Sequence, residues 1–170
     1  MSISTKLTKA NITAVLNLLE TTPRQLETLS APLSTEELQT PLGSGQRSLT
    51  EDLAHLINCE ARSAEAIYLA LLLDQPLFPN IHPERQWGKL FRTETFPFSD
   101  LLAYFKFRRN LLLNVLHPLT DAQWERTIRE EGKKRQESVY WRARTIALHE
   151  REHLIDLEGK LGRGQETIAN

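Results

Sequence analysis

His149 and His153 lie four positions apart in a strongly helical stretch, which puts both imidazoles on one face, one turn apart, where both can reach a single cation. His55 lies in a different helical stretch, at the flank of its apolar stripe rather than opposite it. His149 and His153 flank their own stripe of Ile146, Leu154 and Leu157 in the same way. Side chains at such flanks line the seam of a helical bundle, where ligands from facing helices converge. A divalent ion on three neutral imidazoles would keep its full charge, and so acidify a water or thiol beside it. The spacing alone is equally consistent with partly buried histidines that are simply hydrogen-bonded. His82 and His117 each precede a proline and read as surface residues.

Two further groups share the face of His55. Asp52 could orient His55 as an outer partner, although an acid in the first turn is also what the helix dipole favours. Cys59 could be a fourth ligand or a thiolate, but a lone cysteine more often behaves as a small buried hydrophobe. The segment His149-Glu150-Arg151-Glu152-His153 also satisfies the H-E-x-x-H pattern of zinc metalloproteases, in which Glu150 would be the general base. The surroundings weigh against that reading. No further histidine follows His153, Glu166 is the only late candidate ligand, and no strand pattern precedes the helix to hold a peptide.

The elements that would position these residues are helices. Apolar residues at helical spacing predict a first helix over 8–29, with Pro23 inside it, and a short turn of helix over 34–38. Ser48-Leu49-Thr50-Glu51 is a capping box that opens the second helix, which closes near Asp74-Gln75-Pro76. A long connection follows over 76–97, rich in aromatic residues, with Trp87 and its neighbours expected to cover one end of the bundle near the histidines. Ser99 is expected to cap a third helix that ends at Leu116, before His117-Pro118. Residues 119–132 read as irregular with one short helix, and a fourth helix is expected over 137–161, stopped by Gly162. No segment reads as a strand. The expectation is a single all-α domain over 1–170, a four-helix bundle with a long connection between helices 2 and 3.

Composition narrows the partners. A formal net charge of −1 with dispersed Lys and Arg gives no concentrated positive surface for nucleic acid, and Lys133-Lys134-Arg135 reads as a solvated loop. A single cysteine excludes an intramolecular disulfide. The longest apolar run, over 66–73, is far shorter than the roughly 20 residues that span a bilayer. The first twenty residues lack the apolar core of a signal peptide, so a cytoplasmic protein is expected. Leu148 and Ile155, opposite the main stripe of the fourth helix, also need burial, which suggests a homodimer.

Taken in order, Thr22-Pro23, Asp52-Leu53-Ala54-His55-Leu56 with Glu60, Phe98-Ser99-Asp100-Leu101-Leu102 with Arg109, and Ala147 through Ile155 span nearly the whole chain. In this order and separation the sequence resembles the DinB-like (YfiT-like) superfamily of metal-binding four-helix bundles. The resemblance implies a divalent ion, nickel or zinc, on His55, His149 and His153, with open positions filled by water. It further implies transfer of a low-molecular-weight thiol, of the bacillithiol or mycothiol kind, to an electrophilic small molecule. A metal-dependent hydrolase and a non-enzymatic metal-binding or interaction protein are the alternatives. The chain departs from the family mainly in its charged segment, 129–137.

Overall fold

The structure is a computed structural model that describes residues 3–162. Four long helices carry the architecture: α1 (Lys9–Ser30), α3 (Leu49–Leu72), α5 (Phe98–Leu116) and α7 (Val139–Lys160). Shorter helices α2 (Thr35–Gln39), α4 (Lys89–Phe91) and α6 (Asp121–Trp124) lie between them. Side-chain caps fix most of the helix starts. Ser48 accepts from the Glu51 amide while Glu51 reaches back to the Ser48 amide, and Ser138 accepts from the Trp141 amide at the start of α7. The third long helix departs from expectation: it begins at Phe98 behind Pro97, with no side-chain cap, and Ser99 is already inside it.

The connection over 76–97 is an ordered strap. It contains β1 (Leu77–Phe78), one turn of π-helix (Pro83–Gly88), α4 and a 3-10 turn (Thr93–Thr95). Its ends are tied to α3, where Arg62 donates to the Ile81 carbonyl at 2.6 Å and Thr93 donates to Asn58 at 3.2 Å. A small sheet was not expected. β1 pairs in parallel with β2 (Thr127–Glu130), which pairs antiparallel with β3 (Gln136–Ser138). These strands are two to four residues long and rich in charge, too short for an alternating pattern to emerge. The β2–β3 turn contains Gly132 at φ +77°, a conformation that favours glycine.

Lys133, Lys134 and Arg135 are exposed as expected, but the strands around them bury acids. Glu130 receives Arg62 at 2.6 Å, Arg142 at 2.7 Å and Lys133 at 3.1 Å. Burial alone would raise the Glu130 carboxyl, yet these three cations outweigh it and bring it down to about 2.

The apolar core is divided in two. One cluster gathers Val15 and Leu19 with Ile67, Leu112 and Ile146; the other gathers Leu26, Leu53, Leu56, Phe105 and Leu154. Between them lies a buried polar layer centred on Arg109 of α5. Its guanidinium donates to Glu60 of α3 at 2.7 and 3.0 Å, to Glu150 of α7 at 2.6 Å and to the Leu19 carbonyl of α1 at 2.6 Å. One side chain thus ties all four long helices together, and it does so within five residues of His55 and next to His149 in sequence. Leu148 packs partly against the first cluster, while Ile155 is exposed. No helix among the described residues is long and apolar enough to cross a membrane.

Candidate metal centre

The capping box at Ser48 starts α3 so that Leu53 and Leu56 turn fully into the core, and His55 between them is left at the seam facing α7. On α7, Ile146, Leu154 and Leu157 take the core face, which brings His149 and His153 to the same seam. The three imidazoles form a nearly equilateral triangle, with ring centroids 5.1 Å apart for His55–His149, 4.8 Å for His55–His153 and 4.7 Å for His149–His153.

Nε2 of His55 lies 3.0 Å from Nε2 of His149. Two nitrogens bound to one cation at about 2.0–2.1 Å each are themselves about 3.0–3.4 Å apart, so this separation suits a shared ion. The outer nitrogen of His55, Nδ1, is 2.7 Å from Oε1 of Glu84 in the π-helical turn. A neutral imidazole that donates from Nδ1 keeps its Nε2 lone pair free, which is the tautomer a ligand needs. Burial keeps His55 neutral, lowering it to about 4 against the pull of Glu84, with Arg47, His153 and His149 adding to the fall. His149 is lowered too, chiefly by burial and then by His153.

A second carboxylate serves His153, whose Nδ1 is 3.5 Å from Oδ1 of Asp52. Asp52 therefore faces His153 rather than His55, the partner that the sequence suggested for it, because α7 brings its histidine against the first turn of α3. Arg47, in the loop before α3, bridges the two acids: it pairs with Asp52 at 3.4 Å and closely with Glu84. Burial would raise the Asp52 carboxyl, but His153 and Arg47 outweigh it and hold it below its ordinary range.

Cys59 lies 3.7–3.8 Å from the ring nitrogens of His55. His55, Cys59 and His149 can each offer a ligand atom within 4.8 Å of one another, a group that does not include His153. Burial, then Glu84 and Glu150, pushes the Cys59 thiol up to about 12, so it is protonated in the metal-free chain. Glu150 is fully buried against Arg109, away from solvent, and burial raises its carboxyl. It does not face the histidine seam as the base of a zinc protease would. His82 caps the π-helical turn, its Nδ1 accepting from the amides of Glu84 and Arg85, and the exposed His117 pairs with Glu20 at 3.0 Å. Glu166 lies outside the described residues.

Sequence reasoning missed Glu84 and Arg47. Both sit outside the periodic helices, and the only available signal was the length and aromatic richness of the strap that carries Glu84.

Three imidazoles thus converge from two facing helices of a helical bundle, each helix contributing from the flank of its apolar stripe. A profile described as DinB superfamily matches residues 18–157, and the chain belongs to that superfamily. Among solved structures it is similar to YfiT from Bacillus subtilis, with a TM-score of 0.82, 19% sequence identity and coverage of 95% of this chain and 94% of that one. That protein is described as a probable metal-dependent hydrolase with an unusual four-helix bundle topology. A search of curated proteins found no match.

Proposed function

We propose that the chain binds one divalent ion, nickel or zinc, through His55, His149 and His153, and uses it to transfer a small thiol to an electrophilic small molecule. The observation that carries the reading is the triangle of imidazoles with Nε2 of His55 and His149 at 3.0 Å, two of them kept neutral by burial. When bound, a divalent ion supplies charge that acidifies a neighbouring water or thiol. Three protein ligands leave positions open, the arrangement of catalytic sites rather than structural ones.

The chain's own residues favour a nucleophile from outside. Cys59, pushed up to about 12 by burial, is a thiol in the metal-free chain. Glu150 is held by Arg109, and Glu84 is engaged by His55 and Arg47. A thiol, with an ordinary pKa of about 8.5, needs far less help to ionise than water does. In the transfer the thiol gives up its proton to solvent, sulfur forms the new bond to the electrophilic carbon, and the bond from that carbon to the leaving group breaks, the leaving group departing with the electron pair. Glu84 and Asp52 hold two imidazoles in register from their outer nitrogens. Thiols of the bacillithiol or mycothiol kind are the co-substrates that family resemblance suggests.

Hydrolysis is the second reading, favoured by the description of the similar YfiT fold. Assays of nickel- and zinc-loaded protein with thiols and alkyl or aryl halides, and with esters and amides in the absence of thiol, separate the two. Turnover that requires both metal and thiol supports transfer. Thiol-independent turnover of esters or amides means hydrolysis, and metal binding without turnover on either panel means a non-enzymatic binder.

A further inference from the structure

The strap between α3 and α5 borders a half-open cavity of about 430 Å³, within the range of small-molecule sites, with Phe91, Phe96 and Tyr104 themselves exposed. Trp87, Phe91, Phe96 and Tyr104 form its walls, with Trp87 and Phe91 ring centroids 6.5 Å apart at 59°. Its only charged lining residue is Asp100, so an anion is disfavoured there.

Asn58 gives this apolar space its direction. It is only 6% exposed, and its Oδ1 accepts from Thr93 at 3.2 Å. No hydrogen bond from its Nδ2 is made among the described residues, which leaves that N–H open to a ligand or to water. Asn58 borders the aromatic cavity and also the adjoining pocket of about 230 Å³ that contains His55 and Glu84. Gly88 keeps that junction tight without closing it: a Cβ there would come within 3.2 Å of the Asn58 Nδ2.

We propose that this cavity is the substrate-binding site for a neutral aromatic small molecule carrying one carbonyl-type acceptor. The ring packs among Trp87, Phe91, Phe96 and Tyr104, and the acceptor takes the free N–H of Asn58. The reactive end then points into the pocket of His55. Binding follows from the cavity itself; only the chemistry at the far end rests on the metal-dependent reading.

N-benzylacetamide is a suitable probe, with phenylacetate as an anionic comparison. Calorimetric titration of the full-length, cobalt(II)-loaded chain should give saturable binding of the amide at one site, and weaker binding of phenylacetate. Ala61→Trp, which fills the cavity from α3, should abolish binding, and Asn58→Leu should weaken it by about tenfold, the loss of one hydrogen bond to the ligand. The bound amide should shift the visible absorption of the cobalt ion. Unchanged affinity in Ala61→Trp, or phenylacetate binding as tightly as the amide, would overturn the proposal, as would failure of the wild type to bind the amide. Amide binding with the expected variant pattern in a chain that takes up no cobalt would keep the cavity and remove the metal-dependent reading. Cobalt uptake without amide binding would do the reverse.

Discussion

His55 donates from Nδ1 to the Glu84 carboxylate at 2.7 Å while its Nε2 faces Nε2 of His149 at 3.0 Å. The strap outside the bundle therefore sets the tautomer of a histidine inside it. Carboxylate partners of this kind raise ligand basicity, and their loss typically costs 10–100-fold in metal affinity. Glu84→Ala should weaken nickel binding by about that factor, and Glu84→Gln, which can still accept from Nδ1, by less. Competition titration with a chelator of known affinity reads both. Equal affinity in all three proteins would assign Glu84 a purely structural role.

Arg109 pairs with two buried carboxyl groups from two helices. Arg109→Leu leaves Glu150 without its cation and Glu60 with only Arg108 at 3.4 Å, and breaking a buried pair in this way costs about 3–5 kcal/mol. The urea midpoint should fall accordingly. Glu150→Gln keeps an acceptor for Arg109 and removes no group from the histidine seam, so its metal content should match the wild type. Peptidase activity that disappears in Glu150→Gln would restore the zinc-protease reading.

Glu130 gives the fold a specific acid sensitivity. Its folded pKa of about 2 lies below the ordinary 4.5, so the folded state holds the carboxylate more tightly than the unfolded chain does. That stability is fully present above pH 4.5 and is lost as pH falls toward 2. The difference in unfolding free energy between wild type and Glu130→Gln should be largest near neutrality and shrink across that interval. A difference that stays constant with pH would mean that Arg62, Arg142 and Lys133 do not hold the ionised form.

The helical frame was readable from the sequence because its signals are strong and local. Ser48 and Glu51 mark the start of α3, and the stripes containing Leu53 and Leu56 on α3 and Leu154 and Leu157 on α7 place the histidines at the seam. The strap was not readable. A π-helical turn, a three-residue α4 and a two-residue β1 are too short for any period, and they owe their shape to α3 beneath them through Arg62, Asn58 and His55. The partner of Asp52 was misassigned for a related reason. Helical spacing places Asp52 near His55, but only the packing of α7 on α3 brings His153 closer to its carboxylate.

The central claim is that His55, His149 and His153 hold one ion together, with Cys59 beside them but not bound. Metal per chain, measured by mass spectrometry after dialysis against a mild chelator, tests it most directly across alanine variants of Cys59 and all five histidines. His55→Ala, His149→Ala and His153→Ala should each lose the ion, while Cys59→Ala, His82→Ala and His117→Ala should retain about one per chain. Retention of full metal by His153→Ala together with its loss in Cys59→Ala would contradict the account and place the ion on His55, Cys59 and His149 instead.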